Sequence, residues 1–361
     1  YTALDWLAAQ QVRIEKKIAA RHLETGGVVL YDLSSSYFEG KTCPLAKLGH
    51  NRDGKKGKLQ VNYGLVTDAR GCPVAVSVFD GNIGDPKTLL PQVEQLRKNF
   101  GIEQMVLVGD RGMISQKQID ALKGQEGMHW ITALKTGAIR KLADGGQLQL
   151  GLFDEKNLFE LAHPDFPGER LVACRNPELA KLRAHKRRSL LDATVRELTK
   201  VQGMVERGTL MGQGAIGVRV GKVVNKYKVQ KHFALDIEDG RFGFRILDEA
   251  VAAEAALDGI YVIRTSVPLS RLGSDDAVRS YKLLSQVERA FRSLKTVDLE
   301  VRPIRHRSET RVKAHIFLCM LAYYVEWHMI EAWRPLLFCD EDQSAKKIRD
   351  PVAPARRSEE A

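Results

Sequence analysis

Two short apolar runs constrain this chain more than any other feature. Val28-Val29-Leu30-Tyr31 and Met105-Val106-Leu107-Val108 contain no charged or amide residue, and each leads to an aspartate: Asp32 directly, and Asp110 after Gly109. A strand with one wet face alternates apolar and polar residues. A run without alternation has both faces covered, so these two predict central strands of a sheet with helices on either side. Each acid is then expected where its strand ends, at the sheet edge. A carboxylate in that position is costly unless it caps a helix, closes a turn or binds something.

The segments around the two runs complete an α/β pattern. LDWLAAQQVRIEKKIAARHL has helical periodicity and stops before Gly26-Gly27. LQVNYGLV (59–66) and PVAVSVF (73–79) flank TDARGC, which predicts a hairpin. DPKTLLPQVEQLRKNFG predicts a helix with Asp85 as its cap and Pro86 at its first position. After Asp110 come a helix over 116–123 and a strand in HWITALK. The order strand, hairpin, helix, strand, helix, strand fits a mixed sheet flanked by helices.

The texture then changes. Over 140–272 a charged helix, LAKLRAHKRRSLLDATVRELTKV, precedes strand-like runs such as HFALDI, RFGFRIL and GIYVIRT, which predicts an inserted, β-rich subdomain. AVRSYKLLSQVERAFRSLKT (277–296) reads as one helix. The apolar stretch 312–333 contains Lys313, His315, Glu326, His328 and Glu331, so it is expected to be a core helix and not a membrane span. The division expected is an N-terminal helix over 1–25 ending a truncated N-terminal region, a catalytic domain in two parts (26–139 and 273–337), the insertion between them, and a disordered tail over 338–361.

With 56 Lys and Arg against 45 Asp and Glu, the net charge of +11 favours a polyanionic partner, most simply nucleic acid. Cys43, Cys72, Cys174, Cys319 and Cys339 form no CxxC pair, and the histidines show no ligand spacing, which argues against a disulfide framework or a zinc site. The expected compartment is reducing and cytoplasmic. Ser34, Ser35 and Ser36 lack a nucleophile elbow and read as a polar loop. The clusters KLRAHKRRS (181–189) and RPIRHRSETRVK (302–313), with Arg302, Arg305, His306 and Arg307, are solvated faces or contacts to DNA phosphates.

On the helix around 281–295, an advance of about 100° per residue places Leu283, Val287, Ala290, Phe291 and Leu294 on one apolar face. Tyr281, Glu288, Arg292 and Lys295 share the neighbouring stripe. Alone, Glu288 reads as an ordinary solvated residue, and Asp32 or Asp110 as a cap or turn residue.

In combination, YDLSSSYFEG, LVGDRGMIS and YKLLSQVERAFRSLK resemble the DDE transposases of bacterial insertion sequences, in the branch marked by a YREK signature. The resemblance implies a ribonuclease-H-like fold with an insertion before the last catalytic helix. It implies that Asp32, Asp110 and Glu288 are the catalytic, metal-binding carboxylates, and that Tyr281 and Lys295 are the first and last members of the signature. Leu284 stands where the signature has Arg, and Arg292 is the candidate to supply that cation. Asn82 and Lys87, in a segment resembling one before the family's second strand, are expected to face DNA.

Converging carboxylates persist only if cations neutralise them, and their oxygens suit Mg²⁺ or Mn²⁺. Two ions about 3.5–4 Å apart would serve the in-line displacement of DNA cleavage and joining. Double-stranded DNA, both element ends and target, is the expected partner. A homodimer on that DNA, in the cytoplasm at the nucleoid, is the expected working form. The alternatives are a metal-dependent nuclease of the same fold that cuts without joining, and a catalytically inactive DNA-binding remnant or regulator.

Overall fold

The computed structural model describes residues 1–148, 153, 157–297, 299–337 and 348–353, which divide into two compact units: Tyr1–Ala173 with Val262–Ala361, and Cys174–Tyr261. In the first unit, helix α1 (Thr2–His22) leads to strand β1 (Val28–Tyr37), and β2 (Gln60–Asp68) and β3 (Pro73–Asp80) form the predicted hairpin. Then follow α2 (Pro86–Phe100), β4 (Met105–Val108), α3 (Gln116–Lys123), β5 (Met128–Ala133), α4 (Thr136–Asp144), β6 (Leu158–Leu161) and β7 (Arg170–Arg175). After the second unit, β10 (Ile260–Thr265), α8 (Ser274–Lys282), α9 (Leu284–Arg292) and α10 (Glu309–Trp333) complete it.

Eight strands make one mixed sheet in the order β3-β2-β1-β4-β5-β10-β7-β6. The hairpin strands run antiparallel to one another, β2 is antiparallel to β1, and β1, β4 and β5 are mutually parallel. This is the mixed sheet with flanking helices expected from the two apolar runs. Both runs are interior except at the half-buried Val28: Val29, Leu30, Tyr31 and all of Met105–Val108 are buried. The packing is tight enough to require a glycine opposite β1. A Cβ at Gly64, whose backbone pairs with Leu33, would run into the Tyr31 ring.

Helix α1 is part of this unit, packing on β3, α2 and α10. Its Glu15 is buried, accepting hydrogen bonds from Gln11 Nε2 (2.9 Å), the Val76 N–H (3.1 Å) and Gln95 Nε2 (3.2 Å). Helix α10 is a core helix on one side only. Phe317, Met320, Tyr323 and Trp327 are buried, whereas Leu318, Val325, Met329 and Trp333 are exposed. Among the described residues no helix is long and apolar enough to cross a membrane.

Three boundaries differ from the sequence expectations. The single helix over 277–296 is α8 and α9, meeting at Leu283, and then a π-turn over Ser293–Val297. Of the tail, 338–347 and 354–361 lie outside the described residues. Residues 348–353 are packed and not disordered: Val352 is buried, and the Arg349 and Pro351 carbonyls accept hydrogen bonds from Arg279 and Lys282. Asp85 precedes α2 but makes no capping bond, because its carboxylate pairs with Arg52 at 2.5 Å.

The second unit is also narrower than 140–272 and is not β-rich. β6, β7 and β10 belong to the main sheet. Cys174–Tyr261 holds α5 (Pro177–Glu206), α6 (Gln213–Tyr227), a hairpin of β8 (Phe233–Ile237) and β9 (Phe242–Ile246), and α7 (Asp248–Ala255). Asn176 caps α5, accepting from the Leu179 N–H at 3.0 Å. Leu191, Leu198, Val201 and Val205 of α5 meet Ile216, Val220, Val223 and Val224 of α6 in a core of their own, closed by Phe233 and Phe242. The glycines and valines of GAIGVRVGKVV are poor helix formers locally. The apolar spacing of three and four, satisfied by packing on α5 and on Phe233 and Phe242, makes the segment a helix.

Candidate active site

Asp32 does not end its strand. β1 continues through Tyr37 because β2 pairs with it along that whole length, Tyr37 lying opposite Gln60. It is β4 that stops. β4 pairs with β1 only from Val28 to Leu30, and the next bridge on that edge is Phe38 to Ile304. The stretch of β1 from Tyr31 to Tyr37 therefore outruns its parallel neighbour, and Asp32 lies just past the point where β4 ends. Ser34, Ser35 and Ser36 are buried strand residues and not a loop.

Asp110 follows β4 by two residues, at the break thus created. Its Oδ1 accepts hydrogen bonds from the backbone N–H groups of Gly112 (2.9 Å) and Met113 (2.6 Å), and these fix the turn into α3. The turn role is therefore real, and it uses only one carboxylate oxygen. Glu288 comes from α9, whose Val287, Ala290 and Phe291 are buried and which packs on β1. Glu288 itself is exposed.

These three carboxylates line one cleft of about 440 Å³, together with Arg52, Asp53, Asp85, Arg292, Lys295 and Arg302. The Asp32 carboxyl is pushed from 3.8 up to about 7. Burial is the main cause; Asp110 and Glu288 add to it, while the Leu33 N–H, which donates to Asp32 Oδ1 at 2.8 Å, and the Arg52 charge oppose it. Tyr281 is also raised, by burial first and then by the Asp110 charge, with Glu288 and Asp32 contributing. A carboxyl that resists ionisation beside two others is the signature of a site short of positive charge. The all-oxygen donor set fits hard divalent cations such as Mg²⁺ or Mn²⁺.

Two residues that the sequence does not mark are central here. Asp53, in the polar segment 49–58, has a buried carboxylate that accepts hydrogen bonds from the Tyr37 N–H (2.9 Å), from Lys295 Nζ (3.1 Å) and from Arg302. Burial holds the Lys295 ammonium below its ordinary value, with Asp53 opposing. Arg302 also donates to the Lys295 carbonyl at 3.2 Å, and through Asp53 both residues tie the segment after α9 to Tyr37 of β1. Arg52, next in sequence, carries positive charge between Asp32 and Asp85. No periodicity or motif distinguishes NRDGKKGK, so only partners distant in sequence reveal it.

The other expected residues divide. Arg292 is exposed at the cleft and makes no ion pair among the described residues, so its charge is uncommitted. Leu284 is half-buried, the first residue of α9. Asn82 and Lys87 are exposed between β3 and the first turn of α2, outside the set that lines the cleft. Arg305 is exposed and pairs with Glu39 at 3.2 Å, and Arg307 is exposed. His306 is half-buried, its ring against those of His315 (5.3 Å) and Tyr1 (6.2 Å), and burial lowers its pKa.

No curated protein matches the sequence. Among solved structures, the piggyBac transposase in a synaptic complex with hairpin DNA aligns at a TM-score of 0.43 and 9% identity, over 86% of this chain and 48% of that one. The Mos1 transposase in a paired-end complex with its left transposon end aligns at a TM-score of 0.22 and 10% identity, over 39% of this chain and 45% of that one. The chain thus spans about half the length of these relatives or less. A family model described as a transposase DDE domain matches residues 27–325, from the start of β1 into α10, and the chain belongs to that family.

Proposed function

We propose that the chain is the catalytic part of a DNA transposase, cutting and joining strands at the ends of an insertion sequence. The observation that carries this reading is the single cleft shared by Asp32, Asp110 and Glu288, which come from a strand, a strand-end turn and a helix. Elements packed into one core keep such a site rigid, as a phosphoryl-transfer reaction requires. Asp32, Asp110 and Glu288 would hold two Mg²⁺ or Mn²⁺ ions. Bound there, such ions supply activation of the attacking oxygen and charge stabilisation of the leaving one.

The chain's own cations have different tasks. Arg292 is free to hold a DNA phosphate at the cleft, in place of the arginine that Leu284 replaces. Asp53 acts as a positioning residue: it fixes Lys295 and Arg302 so that their positive charge faces the substrate without collapsing onto the three carboxylates. Arg305, Arg307 and His306 lie close by in sequence and extend the basic border, Lys87 in the first turn of α2 adds a further cation, and Asn82 offers an amide to the DNA. Double-stranded DNA is the substrate, held by a homodimer at the nucleoid in the cytoplasm.

The test incubates purified protein with DNA carrying the element's ends and Mg²⁺. Joined products that disappear in Glu288→Gln, with DNA binding retained, are the expected result. Cleavage without joining would move the chain to the nuclease reading, and full activity in Glu288→Gln would remove the carboxylate from the chemistry. Arg292→Ala is expected to lose turnover at saturating DNA.

A further inference from the structure

We infer that the first unit holds a second, sulfur-containing metal site, built from His22, Cys72 and His328 and suited to Zn²⁺. The three residues come from the last turn of α1, the turn between β2 and β3, and α10, and one potential ligand atom of each lies within 4.8 Å of the other two. On a tetrahedral Zn²⁺, ligand atoms at 2.0–2.3 Å from the ion stand about 3.3–3.8 Å apart, so side-chain shifts of about 1 Å close the site. Such a site is invisible in sequence, because its ligands are separated by 50 and 256 positions (72 − 22 and 328 − 72) and match no short spacing.

One observation points to a ligand rather than to ordinary packing, and a second shows how the ligands would be held. His328 Nε2 is buried and has no hydrogen-bond partner among the described residues, although a buried ring nitrogen normally has one. The His22 ring is already oriented from outside, as ligating imidazoles are: Tyr324 Oη lies 2.9 Å from Nε2, and Arg70 Nη2 lies 3.2 Å from Nδ1. One of these contacts yields to the ion and the other keeps the ring aligned.

The nearest cation does not exclude a metal. Arg70 is neutralised by Asp68, at 2.7 Å from its Nη2, and lies over the Trp327 ring at 5.1 Å. Asp68 Oδ2 is also 4.0 Å from His22 Nδ1, placed as an outer-shell partner. The Cys72 thiol is buried and raised to about 12, so it binds only by giving its proton to solvent as the sulfur–metal bond forms. His328 is half-buried and provides the path of entry. The ion would staple α1, the hairpin turn and α10 to one another.

The experiment uses the full chain with excess Mg²⁺ to saturate the carboxylate cleft, and Co²⁺ as a spectroscopic substitute for Zn²⁺. One Co²⁺ per chain with a thiolate-to-cobalt charge-transfer band is expected, displaced by Zn²⁺. Cys72→Ser should abolish the band. His328→Asn, at a half-buried position that leaves the fold intact, should weaken Co²⁺ binding by at least about tenfold. Absence of the band in the wild-type protein, or a band unchanged in either variant, would overturn the proposal. The carboxylate cleft has no sulfur donor, so the failure of one site leaves the other standing.

Discussion

Asp32→Asn should make the protein more stable and abolish its cleavage activity. The Asp32 carboxyl is raised from 3.8 to about 7, chiefly by burial and then by Asp110 and Glu288. Below pH 4 the group is neutral in both the folded and unfolded chain and contributes nothing to pH dependence. Between pH 4 and 7 the unfolded chain ionises while the folded one keeps its proton, so stability falls as pH rises, and above pH 7 the loss is complete. A difference of about three pK units at 1.36 kcal/mol each sets an upper bound of about 4 kcal/mol, and partial solvent access reduces the effect to roughly 2 kcal/mol.

Asparagine has the same shape, and its carbonyl oxygen can accept the Leu33 N–H bond, so the substitution removes the charge with little repacking. Urea denaturation in EDTA at pH 5 and pH 8 measures the effect. The variant should exceed the wild type by roughly 2 kcal/mol at pH 8 and by much less at pH 5. Adding Mn²⁺ should then raise the wild type and leave the variant nearly unchanged. A variant less stable than the wild type at pH 8 in EDTA, or one equally stabilised by Mn²⁺, would refute the reasoning.

Glu15→Gln tests the same linkage away from the cleft: Glu15 is raised to about 7 mainly by burial, so the variant should gain stability at pH 8 relative to pH 5, with no response to Mn²⁺. Asp53→Ala leaves Lys295 and Arg302 without their carboxylate, and should cost about 3 kcal/mol in denaturant melts and lower cleavage even at saturating DNA. Wild-type stability in that variant would show that the buried pair is dispensable. Gly64→Ala forces a methyl group against Tyr31 and should cost about 1–3 kcal/mol, with cleavage falling as β1 moves; unchanged activity would mean that β1 tolerates the shift.

What could be read from the sequence follows from how local each signal is. The central strands were legible because burial on both faces leaves unbroken apolar runs, and the hairpin because Asp68 and Gly71 mark its turn. The end of β1 was not, because Ser34 to Ser36 look like loop while their burial depends on the pairing of β1 with β2. Asp32, Asp110 and Glu288 became candidates through their company, and no helical arithmetic could foresee the break at Leu283 or the π-turn that carries Lys295. Asp53 and Arg52 gave no signal, since their meaning depends on partners more than 200 residues away for Asp53 and on Asp32 and Asp85 for Arg52. Helix α6 was hidden by glycine and valine, whose local preferences are overridden by packing against α5.

The docking of α9 on β1 has a consequence for synthesis. Asp32 and Asp110 leave the ribosome before Cys174–Tyr261 is made, and Glu288 follows only after the whole of it. A chain halted anywhere in that interval carries two of the three carboxylates and none of the helix that brings the third. On the proposed mechanism such a fragment can meet DNA and cannot cut it. On that mechanism, competence to cut DNA arises only once α9 has been made and has docked on β1.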